Sequence, residues 1–487
     1  MIGMVMRILF LILILSLPNM LSLMSYANTV FGASNTHVTI NDPKLKAEVV
    51  FSGIKFPTSM AFLGPNDILV TEKNSGKVYR IINGIIIQKP LLDINVANKG
   101  ERGLLGISVA KHEKNERPYV LVYFTESANK DGEDVSEGKS PLGNRLYRYE
   151  LDEDKLDNPK LLLDLPVKPD AFHNGGKIVL GRHDNVYLVV GDLGIGDLGV
   201  SAKSKSQNIK NGSEPDGSSG ILRITLDGKP VRPLIGYKDH LNKYYAYGLR
   251  NSFGIAFDPV TGKLWDTENG PGFGDEINLV EDGFNSGWNK VQGIWQFPLG
   301  EPYGTIGEVS VDSERQFFDF NGKGKYSDPE FTWKRTVGPT GITFLNSDKL
   351  GQIYKNDMFV GDFHNGYLYH FDLNKKRTEL SLKGPPNDKV ADTIDELNQI
   401  IFAKGFGGIT DIMAGPDGNL YVLSIPEGGD NCGPVPNLTP HCVAYNSEIE
   451  GTIFRIVVAN ETTESSSAPS SPYESLRAHD EIASEFP

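Results

Sequence analysis

The sequence predicts an all-β fold, specifically a six-bladed β-propeller, and three observations carry that prediction. A unit made of an apolar strand, a turn, a second strand ending in an acidic or small residue, and a later strand of alternating aromatics recurs six times. Tight-turn chemistry falls between strands, as in Asp258-Pro-Val-Thr-Gly262 and Gly415-Pro-Asp-Gly-Asn419. Glycine is abundant, at 53 residues, and aromatics reach 10%, a combination that favours turns between β-branched and aromatic runs over helices.

The repeats follow one another along the chain. The first is Met60-Ala-Phe, Ile68-Leu-Val-Thr-Glu and Lys77-Val-Tyr-Arg-Ile; the second is Gly103-Leu-Leu-Gly-Ile, Tyr119 to Phe124 and Asn144 to Tyr149. The third runs through Lys177-Ile-Val-Leu, Val186 to Asp192 and Gly220 to Ile224, and the fourth through Asn251 to Phe257, Lys263 to Glu268 and Asp275 to Val280. Gly341-Ile-Thr-Phe, Asp357 to Asp362 and Tyr367 to Phe371 make the fifth. Ile409 to Met413, Asn419 to Leu423 and Gly451 to Ile456 make the sixth. One such unit cannot cover both faces of its sheet, so the six are expected to pack as a single domain over residues 35–458. The segments Ser127 to Leu142 and Trp295 to Pro329 are read as long loops.

The ends read differently. Arg7 followed by the apolar run Ile8 to Leu17, Pro18 and small residues at Ala27 and Ala33 matches an export signal over residues 1–33, cleaved near 27 or 33 or kept as an anchor. No later segment is long and apolar enough to cross a bilayer, so a secreted, cell-surface or periplasmic-type location is expected, without an integral membrane domain after cleavage. In that setting Cys432 and Cys442 are expected to close a loop as a disulfide. Residues 460–487, rich in Ser and Glu, read as a disordered tail. Asn211, Asn437 and Asn460 match glycosylation acceptors. The net charge of −14 argues against nucleic acid as a partner, because it repels a phosphate backbone.

Polar residues with chemical potential crowd into the third and fourth repeats. His173-Asn-Gly-Gly, Gly191-Asp192, Tyr247-Gly-Leu-Arg250-Asn251 and Glu268-Asn-Gly270-Pro271 with Asp275-Glu276 flank strand ends. A histidine takes a proton near neutral pH, and a carboxylate such as Asp192 fixes its tautomer. Arg250 suits developing negative charge or an anionic cofactor. Carbonyls in a Gly-Pro turn, with Glu276, suit a hard cation such as Ca2+. Together they suggest hydride abstraction from an alcohol, which requires an organic acceptor because no side chain takes a hydride. Each group also has a plainer reading: His173 as a turn residue, Arg250 with Asn251 as a structural pair, Asp192 and Asp275 as loop caps, Gly270-Pro271 as a turn.

At these residues the chain resembles the soluble pyrroloquinoline-quinone (PQQ) glucose and aldose sugar dehydrogenases. The matching strings are Gly100-Glu-Arg-Gly-Leu-Leu-Gly106, His173-Asn-Gly-Gly176, Gly191-Asp192, Tyr247-Gly-Leu-Arg-Asn251, Glu268-Asn-Gly-Pro271, Asp275-Glu-Ile-Asn278, Gly283 to Trp288 and Thr336-Val-Gly-Pro339. The resemblance implies a six-bladed propeller, PQQ and Ca2+ as cofactors, an aldose substrate and a separate electron acceptor. It implies catalytic roles for His173, Asp192 and Arg250, with His173 the base at the anomeric hydroxyl. It implies cofactor or substrate contacts at Glu101, Arg250, Asn251, Asn269, Asp275, Thr336 and His364. Gly270 and Pro271 match ligands of the calcium at the quinone, and Glu276 and Ser286 match a second calcium site. The family usually has basic residues just before an Asp in the last repeat; here that stretch is Gly407-Gly-Ile-Thr-Asp411, and Lys404 and His364 are the candidates to replace them. Two other classes fit parts of the pattern. A non-catalytic extracellular propeller binding a glycan or protein suits the missing arginines, and a calcium-dependent lactonase would need side-chain ligands converging on one metal.

Overall fold

The computed structural model describes residues 38–110, 117–135, 139–167, 171–194, 203–296, 317–426 and 449–459. The expected export signal, the Cys432–Cys442 disulfide, the tail and the acceptor sites at Asn437 and Asn460 lie outside these residues.

The strands form a β-propeller. Six sheets follow in chain order, with innermost strands Pro57–Gly64, Leu104–Ala110, Ile178–Leu180, Ser252–Phe257, Pro339–Phe344 and Gly408–Ala414. Each innermost strand touches the next, and the sixth touches the first, which closes the ring. The sixth sheet is completed by an early strand: Leu45–Lys55 pairs antiparallel with Glu450–Val458, so the two ends of the described chain are zipped into one sheet.

The core lies between sheets rather than inside one centre. Six buried apolar clusters each join two sheets: Leu69 with Val120, Tyr123 with Val190, Val189 with Ile255, Trp265 with Val360, Phe359 with Phe454, and Met60 with Tyr421. Strand Val186–Val190 shows why. Its even-numbered residues Val186, Leu188 and Val190 face the second sheet, while Tyr187 and Val189 face the fourth. A period-two strand buried on both faces reads as one unbroken apolar run, and each such side chain contributes about 1.5–3 kcal/mol of burial. Where the second and third inner strands meet, at Gly106, there is no room for a side chain. A Cβ on Gly106 would stand 1.8 Å from the carbonyl oxygen of Gly176, which accounts for glycine at both motif positions.

Three expectations change. The repeats predict three strands each, but outer strands complete most sheets: Lys155–Leu165, Tyr244–Tyr247, Phe331–Trp333 and Ile401–Lys404. The string Tyr247-Gly-Leu-Arg-Asn251, expected to open the fourth repeat, therefore begins on the fourth strand of the third sheet. The segment Ser127 to Leu142 holds a 3-10 turn at Glu133–Val135, whose Asp134 is buried and takes an ion pair from Arg102. Three of these outer strands are buried but only three or four residues long, too short for a period to show, and Lys155–Leu165 is partly exposed with a diluted pattern. Among the described residues one short α-helix, Ile394–Ile400, interrupts the strands, opened by a Thr393–Glu396 capping box, and no helix is long and apolar enough to cross a membrane.

Candidate functional site

His173 is 3% exposed and sits at φ +58°, a left-handed conformation that ordinary residues adopt only when their surroundings enforce it. Two carboxylates enforce it. The backbone N–H of His173 donates to Glu101 Oε2 at 2.5 Å, and its Nδ1 meets Asp192 Oδ1 at 2.5 Å. Asp192 is itself held by the Gly194 N–H at 2.9 Å and the Trp288 indole N–H at 2.8 Å. A carboxylate accepting these bonds takes a proton-bearing Nδ1 as well, so the lone pair of the His173 ring is left on Nε2. Gly191 is required between these strands: a Cβ there would lie 2.5 Å from the His173 carbonyl and 2.8 Å from that of Arg250.

The dyad continues into the fourth sheet. The Asp192 N–H donates to the Arg250 carbonyl at 2.8 Å. The buried Arg250 guanidinium lies 5.6 Å from the Trp288 ring centroid and donates from Nη1 to the Asn269 carbonyl at 2.7 Å. Asn269 precedes the Gly270-Pro271 turn, and Asn251 accepts from the Asn269 backbone through its own carbonyl at 3.0 Å. Asp275 fixes that turn: its Oδ1 accepts the Gly270 N–H, while its Oδ2 accepts the N–H groups of Val337 and Gly338. Thr336 and His364 sit beside this loop, with His364 Nδ1 3.4 Å from the Thr336 carbonyl. The structure thus brings His173, Asp192, Glu101, Arg250, Asn251, Asn269, Gly270, Asp275, Thr336 and His364 into one connected network.

Glu276 and Ser286 belong to an adjoining cluster that the sequence reading saw only in part. Glu268 and Glu276 stand directly opposite on paired strands, both fully buried, and both accept from the single Ser286 hydroxyl, at 2.6 and 3.1 Å. Asp266, two residues before Glu268 on the same face, is also buried, and neither of its oxygens has a hydrogen-bond partner. Burial pushes the Asp266 carboxyl up to about 7, with Asn278 and Ser252 offsetting part of the effect. Burial pushes Glu276 up to about 8, and burial with the neighbouring Glu276 and Asp266 charges pushes Glu268 well above the usual carboxylate range. Asp275 is also raised, by burial, against the backbone N–H bonds that lower it. Like charges directly opposed in a sheet repel, and no basic side chain pairs with Asp266, Glu268 or Glu276 among the described residues. Acidic residues at alternate positions in the buried strand Leu264-Trp-Asp-Thr-Glu268 were the available sequence signal.

Buried acceptor oxygens without partners concentrate here: Asn251 Oδ1, both Asp266 oxygens, Asn269 Oδ1, Asn289 Oδ1 and Gln292 Oε1. Oxygen donors of this kind, with excess negative charge, fit a hard divalent cation. An anionic organic cofactor finds a buried cation in Arg250. At Gly407–Asp411 the inner strand carries none, and the expected replacement Lys404 ends the fourth strand of the fifth sheet, with its Nζ over the Tyr367 ring of the third. The cation that does reach this stretch is Lys177, four residues after His173, whose Nζ meets Asp411 Oδ1 at 2.5 Å.

Comparison with known proteins follows the same line. The family model described as Glucose / Sorbosone dehydrogenase matches residues 54–430. The quinoprotein glucose dehydrogenase B of Acinetobacter calcoaceticus is 29% identical, over 78% of this chain and 85% of that protein. The aldose sugar dehydrogenase of Escherichia coli is 25% identical, over 79% and 91%. The PQQ-bound aldose sugar dehydrogenase of Streptomyces coelicolor shares the fold, with a TM-score of 0.55 and 21% identity over 85% of this chain and 98% of that one.

Proposed function

This chain belongs to the glucose/sorbosone dehydrogenase family, and from that premise we propose that it oxidises an aldose or related alcohol at the anomeric hydroxyl, with PQQ and Ca2+ as cofactors and His173 as general base. The observation that carries the reading is the buried His173–Asp192 dyad joined through Arg250 to the Gly270-Pro271 turn. The six sheets are read as six blades of one domain over residues 35–458.

Bound PQQ would supply the hydride acceptor that the side chains lack. The chain's own part is proton management and placement. His173 Nε2 receives the hydroxyl proton, and Asp192 steadies the imidazolium that results. Trp288 and Gly194 hold Asp192, so the ring keeps one orientation through the cycle. Glu101 clamps the His173 backbone through Oε2, at the position where the resemblance implies a substrate or quinone contact. Arg250 faces negative charge developing at the site. A cation would be held by the Gly270-Pro271 turn, and another by Glu276 and Ser286 with Asp266 and Glu268. The charged start and apolar run of residues 1–33 support export, and electrons would leave to a separate acceptor.

The test is to titrate the purified chain with PQQ and Ca2+, then assay aldoses with an artificial electron acceptor. Turnover is expected, and His173→Ala should lower kcat about 10²–10⁴-fold while quinone binding persists. Absence of both binding and turnover in the wild-type chain would refute the proposal.

A further inference from the structure

Away from this network, the outer end of the fifth sheet gathers a second set of ligating side chains. Met358–Asp362 and Tyr367–Phe371 pair antiparallel with Met358 opposite Phe371. That register sets Asp357 against Asp372 just beyond the strands, with His370 on the same face as Asp372. His370 Nε2 lies 2.9 Å from Asp357 Oδ2 and 3.7 Å from Asp372 Oδ1. One ligand atom from each residue falls within 4.8 Å of the others.

We propose that Asp357, His370 and Asp372 form a binding site for a first-row divalent transition cation, of which Zn2+ is the representative. Three arguments converge on that class. Two ligand atoms bound to one such ion at about 2.0–2.2 Å lie at most about 4.4 Å apart, and both nitrogen–oxygen separations already satisfy this. The register of the paired strands sets Asp357 opposite Asp372, and directly opposed carboxylates repel unless a cation lies between them. The third ligand is an imidazole nitrogen, which favours zinc-class ions over the all-oxygen preference of Ca2+ and Mg2+.

The surroundings are built rather than incidental. Asp357 is 9% exposed, and the His370 ring is walled by Phe359, Tyr354 and Phe402 at 5.0, 5.3 and 6.1 Å between centroids. The ring also lines a cavity of about 230 Å³, shared with Asp42, Tyr354 and Gln399. This site is distinct from the calcium-type cluster of the fourth sheet, where every unpaired donor is an oxygen.

The experiment titrates the full chain, saturated with Ca2+, with Zn2+ by calorimetry and with Co2+ by visible absorption. One equivalent should bind, with a d–d spectrum carrying a nitrogen ligand and a rise in Tm. His370→Gln and Asp372→Asn should each weaken binding at least tenfold, and Asp372, half exposed, can change without unfolding the sheet. Sugar oxidation should be unchanged in both variants. No uptake by the Ca2+-loaded chain, or uptake unaltered in the His370→Gln/Asp372→Asn double variant, would overturn the proposal. So would a nitrogen NMR spectrum showing His370 Nε2 still protonated in the presence of Zn2+.

Discussion

Replacing Asp266 by Asn removes one charge from the buried carboxylate cluster and gives up at most the loose approaches of Asn278 and Ser252, since neither oxygen has a partner at hydrogen-bond geometry. The Asp266 pKa rises from 3.8 to about 7 on folding, chiefly through burial. The folded state therefore holds a proton that the unfolded chain has lost, and stability falls as pH rises from about 4 through about 7. Above that range the folded protein carries the full penalty: about three pKa units at roughly 1.4 kcal/mol each, or about 4 kcal/mol. A new amide must find partners, and the neighbouring Ser252 hydroxyl, itself without one, can take part of that role. Allowing about 1–2 kcal/mol for imperfect pairing, Asp266→Asn should stabilise the cation-free protein by about 2–3 kcal/mol at pH 7.5. At pH 4 the charge penalty is almost gone and only the pairing cost remains, so the variant should be less stable than wild type by about 1–2 kcal/mol. Added Ca2+ should raise the wild-type Tm strongly and the variant Tm much less, since the cation and the substitution relieve the same repulsion. The assay is thermal unfolding by circular dichroism with chelator or Ca2+ at both pH values. A variant no more stable than wild type at pH 7.5 in chelator, with an equal Ca2+ increment, would refute the reasoning.

Two further outcomes are expected. Trp288→Phe deletes the indole N–H that Asp192 Oδ2 accepts and should cost about 1–3 kcal/mol of stability by chemical denaturation; because the His173 ring loses its brace, kcat should fall while KM holds. Arg377→Met strands the fully buried Asp258, which receives the guanidinium Nε at 2.8 Å on both oxygens. That clasp joins the fourth sheet's turn to the fifth sheet, and its loss should lower stability by about 3–5 kcal/mol without changing steady-state kinetics per folded molecule.

Much of this protein is legible in one dimension. Repeated apolar runs bounded by Gly, Pro and Asp turns are local signals, so six copies and most of their inner strands can be read from residue order alone. The motifs around His173, Asp192 and Gly270-Pro271 are also local, since glycines mark where backbone approaches backbone. What residue order does not encode is which distant segments meet. Only the closed ring pairs Leu45–Lys55 with Glu450–Val458, carries Lys177 to Asp411, and sets Trp288 on Asp192. The pairing of Glu268 with Glu276, and the solitary burial of Asp266 beside them, likewise arise from strand register and sheet packing. Charge repulsion and burial act through space, so the tertiary structure alone decided where this chain concentrates the unpaired oxygens that call for a cation.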